Sequence, residues 1–172
     1  ADPKALAGKT IAVIGYGSQG HAHAQNLRDS GNKVIVGLAA GSKSKAKAEA
    51  DGFQVLEPAA AAKAAEVVVI LAPDPQHGAI WNEIKQHMTK GKTLVVAHAF
   101  SVHFKTVQPT PDIDVVLIAP KGPGHRVREV YKEGRGVPAL VAVFQDATGN
   151  ALKTAIAYGS GLGATRAGLL DR

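Results

Sequence analysis

Short hydrophobic runs alternate with longer polar or alanine-rich segments along the whole chain. The runs predict six strands, which lie near Thr10–Ile14, Lys33–Gly37, Val67–Ala72, Thr93–Ala97, Val115–Ala119 and Ala139–Val143. Between them, helix-forming residues and stop signals predict helices over Ser18–Ser30, Ser42–Asp51, Glu57–Ala65, Pro75–Met88 and Thr148–Gly159. Strands that alternate with helices indicate an α/β domain, with a doubly wound, mostly parallel sheet and helices on both faces.

A glycine-rich turn joins the first predicted strand to the first predicted helix. It reads Gly15-Tyr16-Gly17-Ser18-Gln19-Gly20, a Gly-x-Gly-x-x-Gly motif in a strand-turn-helix context. Gly15 permits the tight turn, Gly17 lets a pyrophosphate approach the backbone, and Gly20 lets the helix pack close to the sheet. Amide groups at the helix start then favour phosphate. The motif predicts a dinucleotide-binding site.

Ligands of such sheets bind beyond the carboxyl ends of the strands. The loops that follow the predicted strands are Gly15–Gln19, Leu38–Ser44, Pro73–His77, His98–Phe104 and Pro120–His125. We expect these five segments to converge on one rim.

The loop after the second strand bears on the kind of dinucleotide. An NAD site usually presents an Asp or Glu here, which accepts hydrogen bonds from the ribose 2′-OH, but Leu38–Ser44 holds no carboxylate. The hydroxyls of Ser42 and Ser44, helix amides and Lys43 suit an additional phosphate. This favours NADP(H) and leaves NAD(H) possible. An alternative interpretation of Ser42 is a simple helix N-cap.

Composition narrows the function classes further. The 172 residues, 45% of them hydrophobic, suit one domain over 1–172. The absence of cysteine excludes disulfides and thiol chemistry, and the seven scattered histidines suggest no metal cluster. The net charge of +6 comes from scattered lysines and arginines, so we expect an anionic small molecule rather than nucleic acid. Apolar runs too short for a bilayer favour a cytoplasmic location.

Four segments, in order, resemble the N-terminal domain of ketol-acid reductoisomerase. They are Val13–Ala24 with Asn26–Gly31, Ala97–Phe104, Ala119–His125 and Gly163–Gly168. The resemblance spans essentially the whole chain. It implies an NADPH-dependent oxidoreductase that migrates an alkyl group of an acetohydroxy acid with the help of magnesium. The product is reduced to a dihydroxy acid for isoleucine and valine biosynthesis.

The resemblance also assigns roles to individual residues. It places the pyrophosphate on Tyr16, Gly17, Ser18 and Gln19, the 2′-phosphate on Ser42 and Ser44, adenosine on Asp74, Pro75, Gln76 and His77, and the nicotinamide end on Gly124. His98 takes the place of the active-site histidine and Lys121 that of the substrate-loop lysine. A histidine shuttles protons near neutrality and a lysine stabilises oxyanions. From the residues alone, a structural histidine and a surface lysine remain open.

Several positions depart from the family pattern. Ala39 stands where the family commonly has an arginine that clasps the 2′-phosphate, which weakens the expected preference for NADP. Ala99 and Ser101 replace a glycine and an asparagine beside His98. His77 stands where glutamine is usual.

The C-terminal sequence bears on whether this chain can hold the magnesium ions that the resemblance implies. In the family, acidic residues of an all-helical second domain ligate two magnesium ions, and this sequence ends at Asp171 and Arg172 before such residues. One carboxylate is not a magnesium site. We expect the chain to bind cofactor, to self-associate through an exposed docking surface, and to turn over acetohydroxy acids only when helical segments are supplied. The alternatives are a stand-alone dinucleotide-binding module, engineered or ancestral-like, and a small metal-independent reductase that uses His98 as proton donor.

Overall fold

The computed structural model describes residues 3–97, 107–167 and 169–171. In these ranges it contains eight strands: β1 (Thr10–Ile14), β2 (Lys33–Gly37), β3 (Val55–Leu56), β4 (Val67–Ile70), β5 (Thr93–Val96), β6 (Asp114–Pro120), β7 (Ala139–Gln145) and β8 (Leu169–Asp171). The helices of the same ranges are α1 (Ser18–Asp29), α2 (Lys45–Ala50), α3 (Pro58–Ala64), α4 (His77–Ile84), α5 (Gly124–Lys132) and α6 (Ala151–Gly161). Short 3₁₀ segments occupy Pro3–Leu6, Asp74–Gln76, Lys85–His87 and Ala164–Arg166.

The strands form one sheet in the order β3-β2-β1-β4-β5-β6-β7-β8. Neighbouring strands from β3 to β6 are parallel, β7 is antiparallel to β6, and β8 is parallel to β7. The chain runs outward from β1 to β3 and then returns to place β4 on the other side of β1. The carboxyl ends of β1 and β4 therefore flank the crevice where the winding direction reverses, which is the usual ligand position in such sheets.

The hydrophobic core lies on both faces of the sheet. Every residue of β1 is buried, and alternate side chains enter opposite clusters: Ile11 and Val13 on one face, Ala12 and Ile14 on the other. The first cluster includes residues of α1 and α6, and the second includes residues of α3 and α4. Burial on both faces explains why the strand sequences are continuous apolar runs.

The prediction of a doubly wound, mostly parallel α/β sheet is confirmed. The bounds of β1 and β2 are as predicted, and the other predicted strands differ by one or two residues. β4 and β5 end before the predicted Ala72 and Ala97, whereas β6 extends to Pro120 and β7 to Gln145. The predicted loop His98–Phe104 lies outside the described residues. None of the helices in the described ranges has the length and apolar composition needed to span a bilayer.

The predicted helix Ser42–Asp51 is wrong at its start. Helix α2 begins at Lys45, with Ser44 at the N-cap position and no side-chain cap, so Ser42 is not the N-cap. The Ser42 amide donates to Ala39 O at 3.0 Å, and Ser42 Oγ accepts the Ser44 amide at 3.3 Å. These bonds wind residues 39–44 into turns, which shortens the helix.

Two other predicted helices also begin too early. Residues 74–76 form a 3₁₀ turn before α4, and Lys85–His87 continues as 3₁₀ rather than α-helix. Helix α6 begins at Ala151 because Asp146 Oδ1 accepts the Gly149 and Ala151 amides, while Asp114 holds Thr148 in the preceding turn. Strands β3 and β8 and helix α5 were not predicted. Helix α5 is mostly polar and buries only a narrow stripe that includes Val127 and Val130.

Candidate functional site

The turn after β1 approaches the turn after β4 very closely. Gly15 has a φ of +108°, and its amide donates to Gly37 O at 3.0 Å. A Cβ added at Gly15 would lie 2.9 Å from Ala72 N. A side chain is therefore excluded both by the backbone conformation and by the neighbouring turn.

Gly17 and Gly20 occupy contrasting positions in the same motif. A Cβ at Gly20 would lie 2.2 Å from Gly15 O, so helix α1 packs directly on the turn. A Cβ at Gly17 would meet no atom within 4 Å, because this residue faces open space at the N-cap position of α1. No side chain caps α1 and its first turn contains no acidic residue. Its first amides are thus available to an anion.

A cleft of about 680 Å³ opens above this turn. It is lined by Gly15, Tyr16, Gly17, Ser18, Gln19, Leu38, Ser42, Ser44, Leu71, Ala72, Pro73 and Gln76. The structure therefore brings together the glycine turn, both serines of the β2–α2 loop and one of the predicted adenosine residues. A glycine cradle, free helix amides and hydroxyl donors fit a nucleotide with phosphate groups.

The segment after β4 forms the far wall of the cleft. Gln76 lines it directly, while Asp74 and Pro75 lie in the adjoining 3₁₀ turn. The His77 side chain is buried, and its Nε2 donates to Ala72 O at 2.6 Å, since a carbonyl can only accept. His77 thus holds the backbone of this wall in place.

Tyr16 lines the cleft, but its side chain is buried and belongs to the hydrophobic core. The hydroxyl donates to Asp51 Oδ2 at 2.6 Å and accepts from Gln25 Nε2 at 3.3 Å. Burial, followed by the hydrogen bond to Asp51, raises the pKa of Tyr16, so the phenol stays protonated. The Phe53 ring packs edge-on at 5.9 Å. Tyr16 therefore ties the glycine turn to the end of α2.

The loop between β6 and α5 rests on the start of α1. Gln19 Nε2 donates to Gly122 O at 3.0 Å, and the His125 amide donates to Ser18 Oγ at 3.1 Å. A Cβ at Gly124 would lie 2.1 Å from Ser18 O. Gly124 therefore allows the two segments to meet beside the cleft, at the position where the family resemblance places the nicotinamide end.

Polar contacts also lock α1 against α5. The side chain of Asn26 is fully buried: its Nδ2 donates to Val127 O at 3.3 Å and Leu162 O at 3.2 Å, and its Oδ1 accepts from Arg128 Nη1 at 3.0 Å. Arg128 also pairs with Asp29 at 2.8 Å. Burial alone would raise the pKa of Asp29, but hydrogen bonds from Arg128 and Arg28 outweigh it and lower that pKa. These contacts fix the helix that carries the turn.

The two candidate catalytic residues differ in what the structure shows. Lys121 is exposed just after β6, and its amide donates to Pro138 O at 2.8 Å, but it does not line the cleft. His98 lies outside the described residues. Within the described ranges, no group of three or more His, Asp or Glu side chains is placed to hold a metal ion. The described residues of this chain therefore do not fit a magnesium site.

A second cleft, of about 690 Å³, lies at the opposite edge of the sheet. Its lining includes Lys9, which precedes β1, and Asn32 and Lys33 at the start of β2. Tyr131 of α5 lines it as well. It faces the amino ends of the parallel strands, so it lacks the open α1 N-terminus that distinguishes the first cleft.

Sequence reasoning missed several supporting residues. Asp51, Asn26 and Arg128 act through contacts between different elements, and no local pattern predicts those contacts. Leu71 and Ala72 carried a usable signal, because they directly follow the strand that neighbours β1 at the reversal of the sheet.

The sheet order, the glycine turn and the open start of α1 define a Rossmann-type dinucleotide-binding domain. The family model described as "Acetohydroxy acid isomeroreductase, NADPH-binding domain" matches residues 5–168. The chain belongs to this family, the NADPH-binding domain of ketol-acid reductoisomerase, and the resemblance found in the sequence is confirmed.

Solved structures agree with this assignment. An NADH-preferring ketol-acid reductoisomerase from an uncultured archean is 44% identical, with a TM-score of 0.96; the match covers 100% of this chain and 54% of that chain. A semialdehyde dehydrogenase NAD-binding protein from Cupriavidus necator, in complex with calcium and NAD, is 20% identical, with a TM-score of 0.79 and coverage of 95% and 63%. Plasmodium falciparum pyrroline carboxylate reductase with NADP bound is 12% identical, with a TM-score of 0.64 and coverage of 97% and 58%. The last two show the fold alone.

Proposed function

We propose that this chain binds NADPH in the cleft above the glycine turn and serves as the nucleotide-binding part of a ketol-acid reductoisomerase. One observation carries the proposal: the uncapped start of α1 opens into the cleft that also contains Ser42 and Ser44. Backbone amides of Ser18 and Gln19 hold the pyrophosphate, and the two serine hydroxyls hold the 2′-phosphate. Residues 74–77 border the adenosine, and Gly124 borders the nicotinamide end.

The chemistry of the chain's own residues follows from this placement. When bound, the cofactor supplies a hydride to a carbonyl carbon. Gly17 leaves room for the pyrophosphate. The hydrogen bonds from Gln19 to Gly122 and from His125 to Ser18 hold the β6–α5 loop, which borders the nicotinamide, against α1. We assign proton transfer to His98 and stabilisation of oxyanion charge to Lys121.

We propose that the chain accepts both NADPH and NADH, with NADPH preferred. No carboxylate follows β2 to bind a ribose 2′-OH, and both serines face the cleft. Ala39 is exposed and offers no cation to a 2′-phosphate, which limits the preference to about tenfold. The 44% identical archaeal enzyme is described as NADH-preferring, which supports the use of NADH as well.

We propose that turnover of acetohydroxy acids requires a full-length ketol-acid reductoisomerase, of which this chain forms the nucleotide-binding part. The chain spans 54% of the archaeal enzyme that it matches, and its described residues do not fit a magnesium site. The alkyl migration needs a Lewis acid, so we propose that the metal ligands come from outside these residues. A cytoplasmic location and self-association are further parts of the proposal.

Calorimetric titration of the chain with NADPH and NADH tests the binding proposal. We expect saturable binding of both, and at least 100-fold weaker binding by Gly17→Val, whose side chain fills the space for the pyrophosphate. The residue is exposed and its φ is −76°, so helix and sheet content measured by circular dichroism should not change. Ala147→Val is the matched control, because Ala147 is exposed beyond β7 at the opposite edge of the sheet. Failure of the unmodified chain to bind either dinucleotide at millimolar concentration would overturn the proposal.

A further inference from the structure

A buried polar pair lies behind the cofactor cleft. His23 of α1 and Tyr158 of α6 are both 0% exposed, and His23 Nδ1 lies 2.8 Å from the Tyr158 hydroxyl. Burial lowers the pKa of His23 to about 3 and raises that of Tyr158. Both side chains are therefore neutral at physiological pH, and the imidazole carries a single proton on one of its two nitrogens.

The hydrogen-bond inventory favours one tautomer of His23. The Tyr158 hydroxyl has a proton to donate, and His23 Nδ1 is its hydrogen-bond partner in the described structure. If the hydroxyl donates to Nδ1, the histidine proton must sit on Nε2. The opposite tautomer would leave the Tyr158 hydroxyl hydrogen buried without an acceptor, which is costly.

One turn earlier on α1, Gln19 presents the complementary group. Its amide orientation is fixed, because Nε2 donates to Gly122 O and a carbonyl oxygen can only accept. Within the described residues, two buried side-chain atoms lack a hydrogen-bond partner: Gln19 Oε1 and His23 Nε2. Residues four apart lie on the same face of a helix, so an acceptor and a donor are left on one face.

We propose that a single internal water bridges His23 Nε2–H to Gln19 Oε1, and that Tyr158, His23 and Gln19 act as positioning residues for the loop at the nicotinamide end. The water accepts from His23 and donates to Gln19, whose amide then donates to Gly122 O. Such waters typically join buried polar groups that would otherwise be unsatisfied. The link to the nicotinamide end rests on the proposed function.

Nuclear magnetic resonance of the cofactor-free chain, labelled with ¹⁵N-histidine, tests the relay without any ligand. We expect His23 to show a protonated Nε2 and an unprotonated, hydrogen-bonded Nδ1. The Nε2 proton should show a nuclear Overhauser contact with a long-lived water. A proton on Nδ1, or an Nε2 proton with no contact to water, would overturn the proposal.

Binding by two His23 variants tests the positioning role. His23→Leu removes the donor, whereas His23→Gln keeps an N–H near the position of Nε2. We expect His23→Leu to bind NADPH about fivefold more weakly, as expected for one lost hydrogen bond, and His23→Gln to recover most of this loss. Adenosine 2′,5′-bisphosphate, which lacks the nicotinamide half, should bind all three chains equally.

The outcomes separate the two proposals. Equal weakening of NADPH and of adenosine 2′,5′-bisphosphate in His23→Leu would mean a general structural role and would overturn the positioning role. If the unmodified chain binds neither ligand, the proposed function fails, and the positioning role fails with it. The tautomer and the bridging water are still decided by the resonance measurement.

Discussion

Replacement of Gly124 by alanine is the sharpest single perturbation of the site. The new Cβ would lie 2.1 Å from Ser18 O and 2.4 Å from Ser18 Oγ, whereas such carbon–oxygen contacts normally exceed about 3.3 Å. The start of α5 must therefore move about 1 Å away from α1. This movement strains the packing, at about 1–3 kcal/mol, and breaks the bonds from His125 to Ser18 and from Gln19 to Gly122, at about 1 kcal/mol each.

One effect opposes this loss. Alanine is a better helix former than glycine by about 1 kcal/mol, and Gly124 is the first residue of α5. We therefore expect the free energy of unfolding to fall by about 3 kcal/mol, and Tm to fall by about 6–12 °C for a chain of this size. NADPH should bind at least tenfold more weakly, because the nicotinamide end of the cleft is displaced.

Urea unfolding followed by the fluorescence of Trp81, the single tryptophan, measures the stability change, and calorimetry measures NADPH binding. Gly122→Ala is the matched control in the same loop. Its Cβ would lie 3.4 Å from Val137 Cγ1, an ordinary contact, so stability should change by no more than about 0.5 kcal/mol. If Gly124→Ala is as stable as Gly122→Ala and binds NADPH equally well, the close approach of the two segments does not hold the site together.

Three further predictions concern other parts of the structure. Ser44→Ala should weaken NADPH binding about fivefold and leave NADH binding unchanged, as measured by calorimetry; equal effects on both would exclude a contact with the 2′-phosphate. Tyr16→Phe removes the bond to Asp51 and should lower the free energy of unfolding in urea by about 1–2 kcal/mol, and an unchanged value would argue against this tie. Burial lowers the pKa of His23 to about 3, so only the unfolded chain takes up this proton between pH 6.5 and pH 3. As the pH is lowered through that window, the free energy of unfolding should therefore fall by up to about 1.4 kcal/mol per pH unit. His23→Gln should lack this part of the pH dependence in urea unfolding. A pH dependence equal to that of the unmodified chain would contradict the low pKa of His23.

The fold was predictable because its main signals are local. A strand buried on both faces is a continuous apolar run, as in Val67–Ile70, and the strand-turn-helix motif at Gly15 identifies the first unit of the sheet. Helix starts were less predictable. Ser42 has the chemistry of an N-cap, but its hydroxyl bonds the Ser44 amide within a turn, and this depends on the conformation of the whole β2–α2 loop.

The candidate site likewise has one part that the local sequence predicts and another that depends on tertiary contacts. Its phosphate-binding turn follows from glycine spacing, whereas several contacts that position it join residues far apart along the chain, some of them more than 100 positions apart. Gln19 to Gly122 and Asn26 to Arg128 are examples. Helix α5 was not predicted because its apolar stripe is narrow, and Val127 and Val130 form a hydrophobic cluster only together with Ala22 of α1 and Val137. The direction of β7 depends likewise on how the chain after α5 meets β6.

Titration of the ¹⁵N-labelled chain with NADPH, followed residue by residue in amide spectra, tests the central claim most directly. The amides of Gly17, Ser18 and Gln19 should show the largest shifts, since they meet the pyrophosphate at the start of α1. Ser42 and Ser44 should shift with NADPH and much less with NADH. Saturable shifts confined to the opposite cleft around Lys9 and Asn32, with the glycine turn unchanged, would contradict the account.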